Sequence, residues 1–355
     1  MRTDIYEVLD KICEYPRGKV LATIIDVAGS SYKKAGSTML FLEDNHQIGL
    51  LSGGCLEQDL KARIKDFWNE PTSTVVTYDL SSKDDLSWGQ GAGCNGIIKV
   101  AIESITPLFL NDLKRVRNLV NNGKAVTHIK RISSSHQSIE YLFCTEGEIF
   151  GQWQGELPNV HSISEGTLDY KKEKKSYLFK QEILARPRLF IYGAGVDSIP
   201  LANLAHYGGY QVIIVDWRPA FCNPSLFPFA CQTLNATPSE FVQSFSFSSA
   251  DSIILMTHNY EKDTQLIHLL LTKKVGYVGL LGSKKRAENI LKGVKVPEWI
   301  HYPVGLAIGA EGPQEIAVSI IAELIQSKAR RGAKPLEENN WDLSCCRTKY
   351  SYGNM

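Results

Sequence analysis

Apolar residues recur at helical spacing at the start of the chain, where Ile5, Val8, Leu9 and Ile12 share one face, and Pro16 with Gly18 predicts the end of that helix. The period then shortens. KVLATIIDVAGSSY is a β-branched run stopped by a Gly-Ser turn, and STMLFLEDNHQIGLLSGG predicts a hairpin about Asp44-Asn45. Helical spacing returns in LEQDLKARIKDFW, where Leu56, Leu60, Ile64 and Phe67 form one stripe of about three turns. Ser52 is its candidate cap, which puts Cys55 in the first turn, and Pro71 follows its end. TSTVVTYDL and IIKVAIESI predict two more strands on either side of the polar, glycine-rich SSKDDLSWGQGAGCNG.

Residues 111 to 151 echo this opening in weaker form. NDLKRVRNLVNNGKAVTHIKRI follows the pattern of EVLDKICEYPRGKVLATIIDVA, with Gly123-Lys124-Ala125 in the place of Gly18-Lys19-Val20, and GEIFG falls where HQIGL fell. An internal duplication and a chance likeness of two helix-strand-hairpin patterns both account for this. The second stretch has no SGGC and no GCNG, so any site belongs to the first. From about 152 to 185 the chain turns polar and strand-poor (EGTLDYKKEKKSY), which reads as a connection into a new domain.

PRLFIYGAGVDSIPLANLAHYGGYQVIIVDWRP then runs in strand, glycine turn, helix, strand order, and DSIILMT, KDTQLIHLLLTK, YVGLLGS, KKRAENILKG and PQEIAVSIIAELIQS continue the alternation. Such alternation specifies a parallel sheet covered on both faces. The expected fold class is α/β: an amino-terminal α+β domain (1–105), a possible second α+β copy with the connection (106–185), a doubly wound Rossmann-like domain (186–333) and a tail (334–355).

Composition narrows the function classes. Lysine plus arginine number 39 against 38 acids, so no field of one sign would gather nucleic acid or anionic lipid. MRTDIYEVLDKICEY lacks the apolar stretch of a secretory signal, and no run reaches the ~18 apolar residues of a membrane span, so a cytoplasmic protein is expected. The cysteines Cys13, Cys55, Cys94, Cys144, Cys222, Cys231, Cys345 and Cys346 include no C-x-x-C pair, and most read as small buried hydrophobes in a reducing compartment.

Context picks out two of them. Cys55 follows Gly53-Gly54 at a helix start, where the dipole and free amides favour a thiolate and bare backbone admits a ligand. Cys94 lies in GAGCNG, between Gly93 and Gly96. Two glycine-cradled thiols in one small domain suggest a shared site, against the plainer reading of tight turns with buried small residues. Ser30-Ser31-Tyr32-Lys33-Lys34 is a polar loop suited to an anion or simply to solvent.

In the second half, Gly193-Ala194-Gly195-Val196-Asp197-Ser198 departs from G-x-G-x-x-G at its last position, and Asp216 ends the next strand 23 residues after Gly193. Gly193, Gly195 and Asp216 are therefore candidates for a dinucleotide, while Asp197 would set a negative charge beside its pyrophosphate. Lys284, Lys285, Arg286, the Gly305–Gly312 loop and Thr257-His258-Asn259 fall at the same carboxyl edge.

SSYKKAGSTMLF, LSGGCLEQDL, WGQGAGCNGIIKV, LFIYGAGVDSIPLANLAHYGGYQVIIVDWRPAF, GLLGSKKRAENI and HYPVGLAIGAEGPQEIAVSIIAEL occur in this order and resemble the XdhC/CoxI family of xanthine dehydrogenase accessory proteins over roughly residues 5–105 and 187–328. The resemblance implies an assembly factor rather than a catalyst. It would bind the molybdenum cofactor (molybdopterin), protect it, support its sulfuration and insert it into a xanthine dehydrogenase-type apoenzyme, with a cysteine desulfurase as a further partner and a homodimer as the assembly. Matched by residue, the cofactor-binding segments are Gly53, Gly54 and Cys55, and Gly93, Cys94 and Gly96, with Cys55 and Cys94 as molybdenum contacts. The family commonly has glycine where Asn95 stands and often histidine where Val196 stands.

Residue chemistry agrees with this: helix N-termini suit the cofactor's phosphate, a softened thiolate suits metal or sulfur chemistry, and a cleft between two domains would exclude water. An NAD(P)-dependent oxidoreductase using the Rossmann turn, and a scaffold with structural cysteines, are the rival expectations.

Overall fold

The computed structural model describes residues 4–15, 18–68, 71–80, 96–171 and 175–332, so the expected tail with Cys345 and Cys346 lies outside the described residues. The chain divides into two compact units that meet in sequence at Ala185 and Arg186.

The first unit runs α1 (Asp4–Glu14), β1 (Lys19–Gly29), β2 (Thr38–Leu42), β3 (Gln47–Gly49), α2 (Cys55–Arg63), β4 (Ser73–Asp79) and β5 (Gly96–Ser104). It continues with α3 (Pro107–Asn121), β6 (Val126–Ser133), β7 (Ile139–Thr145), β8 (Glu148–Gln152), β9 (Leu168–Lys171) and β10 (Ser176–Ile183). The strands make two sheets, ordered β3-β2-β1-β5-β4 and β8-β7-β6-β10-β9, with every pairing antiparallel. Each sheet is entered from a helix and laid down in the same order. The echo seen in the sequence is thus matched strand for strand by topology.

One expectation is corrected here. Residues 152–185 are not strand-poor: SYLFKQEI forms β10, a central strand paired to both β6 and β9. Its Tyr177, Phe179 and Lys180 belong to a run whose lysine-rich average hid the alternation, because the polar residues cluster where β9 hands over to β10 rather than along either strand.

Apolar faces explain the packing. The stripe of α1 (Ile5, Val8, Leu9, Ile12) meets Leu113, Val116 and Val120 of α3 and Leu21, Leu40 and Phe143 of the strands in one core. Leu56 and Leu60 of α2 seal a second core over Ile24, Met39, Ile98 and Val100, to which the other sheet adds Ile132 and Phe179. Between the sheets Lys130 of β6 forms an ion pair with Glu103 of β5, and the lysine side chain is 0% exposed.

His128 lies two residues along from Lys130, stacked on Phe143 at 4.3 Å, with Nε2 lacking a hydrogen-bond partner among the described residues. Burial, and then the nearby Lys130 charge, hold its pKa well below 6.5. Above pH 6.5 both folded and unfolded chains carry it neutral; below, only the unfolded chain gains the proton. Stability should therefore fall by about 1.4 kcal/mol per pH unit below 6.5 from this group. Denaturant melts of wild type and His128→Phe between pH 7 and 5 should diverge by that slope.

The second unit runs β11 (Arg188–Tyr192), α4 (Ser198–Tyr207), β12 (Gln211–Asp216), β13 (Gln232–Asn235), α5 (Pro238–Ser244) and β14 (Ser252–Leu255). It continues with α6 (Tyr260–Leu270), β15 (Tyr277–Leu280), α7 (Lys284–Ile290), β16 (Ile300–His301) and α8 (Gly312–Gly332). The sheet order is β13-β12-β11-β14-β15-β16, all parallel, which is the Rossmann order. Strands this apolar need cover on both faces. On one side α5, α6 and α7 bury Phe241, Leu266 and Ile290, and on the other α4 and α8 bury Leu201, Ile320 and Leu324. Among the described residues no helix is long and apolar enough to cross a membrane.

Candidate functional site

The loops singled out in the first unit meet at one end of the β3-β2-β1-β5-β4 sheet. Gly29, the last residue of β1, pairs with Gly96, the first of β5, and the Leu80 amide after β4 donates to the Gly96 carbonyl at 2.9 Å. β3 runs in the direction of β1 and so delivers the chain toward the same end before Leu51, Ser52 and the turn into α2.

Two side-chain bonds set the direction of α2. Tyr78, near the end of β4, donates its hydroxyl to Asp59 at 2.7 Å, while Ser104, at the far end of β5, donates to the Phe67 carbonyl at 3.3 Å. The helix therefore descends along the sheet, and Cys55, its first residue, stands where β1 stops and β5 begins.

A buried carboxylate holds the turn before Cys55. Glu57 Oε1 accepts the amides of Leu51 at 3.0 Å and Ser52 at 2.7 Å, and Oε2 takes the Ser52 hydroxyl. Ser52 Oγ in turn accepts the amides of Gly54 at 3.1 Å and Leu56 at 3.2 Å. The N-cap of α2 is therefore Gly54 and not Ser52 as expected, although the Ser52 hydroxyl still takes the Leu56 amide from two residues before it. Burial alone would raise the Glu57 pKa, yet the bonds from Ser52 and Leu51 outweigh it and hold the carboxyl below its usual range.

The lock faces inward and the glycines face out. Gly53 and Gly54 are exposed, a Cβ at either would meet nothing within 4 Å, and the φ of 121° at Gly54 suits glycine alone. Gly96 has the opposite reason for being glycine: a Cβ there would stand 2.7 Å from the carbonyl oxygens of Ala28 and Ser30. The β5 start is therefore flush against the Ser30–Lys34 loop. Gly93 and Cys94 lie outside the described residues, as does the expectation that Cys94 joins Cys55 in contacting a metal.

Glu57 was not among the residues picked from the sequence. Sequence spacing gave no signal for it, since a capping box sets the hydroxyl three residues before the glutamate and Ser52 stands five before Glu57.

The carboxyl edge of the second unit is different in character. Asp216, the dinucleotide candidate, is 0% exposed and bonded within the chain. Its oxygens accept the Ala194 amide at 2.8 Å, the Arg218 amide at 2.8 Å and the Arg218 guanidinium at 2.8 and 3.0 Å. These donors outweigh the burial that would otherwise raise its pKa and hold it below the usual value.

The glycine turn carries an acid of its own. Gly193, at φ 118°, passes tightly by Met256, and Asp197 stands inside the turn, its Oδ2 2.8 Å from His258 Nε2. A Cβ on Gly195 would lie 2.5 Å from the other Asp197 oxygen. Arg286 turns inward to Asp263 at 2.5 Å and the Leu281 carbonyl at 3.2 Å, Asn259 caps α6, and the Gly305 amide donates to Glu323 at 2.6 Å. Of the basic residues expected there, Lys284 and Lys285 stay outward.

Comparison with known proteins agrees with the two-part architecture. The model of the XdhC and CoxI family matches residues 16–79, that of the XdhC Rossmann domain residues 189–324, and that of a BH1974-like central domain residues 107–184. A Bacillus subtilis (strain 168) protein described as a probable subunit of xanthine dehydrogenase is 45% identical over 328 residues, 92% of this chain and 98% of its own. The molybdenum cofactor insertion chaperone PaoD of Escherichia coli (strain K12) is 22% identical over 318 residues, 87% of this chain and 83% of its own. A crystal structure described as a xanthine dehydrogenase from Bacillus halodurans superposes with a TM-score of 0.82 at 41% identity, covering 94% of this chain and 98% of that one. With family models matched at both ends and a 45%-identical relative covered almost end to end, the chain belongs to the XdhC and CoxI family.

Proposed function

We propose that this protein is an accessory chaperone that carries the molybdenum cofactor, shields it and hands it to a xanthine dehydrogenase-type apoenzyme. Similarity to a molybdenum cofactor insertion chaperone and to a probable subunit of xanthine dehydrogenase supports that role. The observation that carries the site is the convergence of the Gly53-Gly54-Cys55 turn, Gly96 and the Ser30–Lys34 loop at one end of one sheet.

The arrangement fits such a cargo. A ligand can approach the backbone at Gly53 and Gly54 without meeting a side chain. The cargo supplies its own metal and dithiolene; the chain supplies a held turn, open backbone and sulfur from Cys55 and Cys94. Sulfuration takes its sulfur from a donor protein of the cysteine desulfurase type. The protein acts in the cytoplasm as a homodimer in this reading, and sedimentation of the purified chain tests the latter.

The expected result for Cys55→Ala and Cys94→Ala, purified from cells that make the cofactor, is loss of most of the copurified pterin and molybdenum. Unchanged retention in both, with unchanged activation of the dehydrogenase, would defeat the site. Because Asp216 is paired within the chain and Asp197 sets a negative charge in the glycine turn, reduced NAD(P) should give no saturable fluorescence change. Tight saturable binding would restore the oxidoreductase reading.

A further inference from the structure

We propose that the loop Ser30–Lys34 is the part of this site that recognises the organic end of the cargo, with Tyr32 stacking on the pterin ring and Lys34 pairing with the terminal phosphate. The inference rests on the chaperone reading above and adds the residues and the ligand chemistry that it leaves open.

The loop leaves β1 at Gly29, opposite Gly96, so it borders the same sheet end as the Cys55 turn, and the Gly96 backbone lies flush against Ser30. Its return is firmly held: Ala35 is buried in the core, the Gly36 amide donates to Ile24 at 2.7 Å, and the Ser37 amide donates to the Lys34 carbonyl at 3.1 Å. From the other sheet of the unit, buried Gln181 donates to the Gly36 carbonyl at 2.8 Å, and within the loop the Ser31 hydroxyl bonds to the Lys33 carbonyl. A loop tied at this many points presents its side chains with little ordering cost on binding.

What it presents is a ring and a cation. Tyr32 is 62% exposed, and Lys34, two residues on, is exposed as well. Among the described residues, Glu57 is committed to the turn amides, Asp59 to Tyr78 and Arg63, and Asp26 to Lys99 at 3.2 Å. A planar heteroaromatic ring carrying a phosphomonoester matches this pair, the ring by stacking and the phosphate by a charge-assisted hydrogen bond. In the second unit Arg286 and Arg218 are each paired with a buried carboxylate, which leaves neither guanidinium for such a ligand.

The test uses the full-length chain and two fluorescent probes: the oxidised pterin phosphate released from the molybdenum cofactor, and the same pterin after phosphatase treatment. Wild type should bind the phosphorylated probe about tenfold more tightly than the dephosphorylated one, as a charged hydrogen bond predicts. Lys34→Gln should bring that ratio close to one while leaving affinity for the dephosphorylated pterin unchanged. Tyr32→Ala should weaken both probes by about fivefold or more, and Tyr32→Phe should restore them. Both positions are exposed, so the variants should fold and melt as wild type.

Pterin binding that neither Lys34→Gln nor Tyr32→Ala alters would overturn this assignment and leave the chaperone reading standing. Absence of binding of either probe to wild type, together with absence of copurified cofactor, would remove both.

Discussion

Replacing Lys130 by alanine should destabilise the first unit by about 3–5 kcal/mol. The lysine is 0% exposed and its ammonium pairs with Glu103, itself 4% exposed, so truncation leaves a carboxylate buried between two sheets without a cation. The double variant Lys130→Met with Glu103→Leu should recover most of that loss. It removes both charges and fills similar volume, and buried pairs replaced in this way are often neutral or better. Urea melts of the three proteins check this. A double variant as unstable as Lys130→Ala would show that shape or a hidden polar contact, rather than the orphaned charge, sets the cost.

Glu57→Ala should cost about 2–4 kcal/mol, because it strands the buried amides of Leu51 and Ser52 and frees the Ser52 hydroxyl that holds Gly54 and Leu56. The site should fail with it, since the turn carrying Gly53, Gly54 and Cys55 would lose the contacts that order it. Glu57→Gln keeps an acceptor for the two amides and should fall between wild type and alanine.

The pH dependence of this contact has a definite sign. The folded carboxyl lies below its ordinary value of 4.5, so its contribution is present above that pH and is lost as pH falls through the folded value. Wild type should therefore weaken below pH 4.5 by an amount that Glu57→Gln does not show. Equal acid sensitivity of the two proteins would mean that the carboxylate is not ionised in the fold.

Much of the architecture was legible because it follows from period. The α1 stripe, the hairpin at Asp44-Asn45 and the βα alternation after Arg186 each arise from local patterns that tertiary contacts reinforce. The likeness of 111–151 to the opening was visible for the same reason, and the two sheets share one strand order. β10 escaped because its polar neighbours dominated the window, and a central strand with one face against another sheet needs only alternate positions to be apolar. The cysteine turn was visible as an unusual glycine pair before a helix; its buried clamp was not, because Ser52 and Glu57 read singly as a surface cap and a surface acid.

The second unit shows where local pattern stops being informative. Its glycine turn and Asp216 have the spacing of a dinucleotide site, and the sheet order that such a site requires is present. Yet Arg218, two residues after Asp216, folds back onto the carboxylate, and Asp197 turns into the loop to meet His258.

By itself, then, the order of residues determined the helices, the strands other than β10, the parallel second sheet and the two glycine-cysteine segments, since each is set by neighbours within a few positions along the chain. The fold alone decided which loops share an end of the first sheet, which charges are spent on one another and which glycines face open space. Those outcomes depend on pairing between strands far apart in sequence, and no local periodicity encodes which partner a carboxylate or an amide will meet.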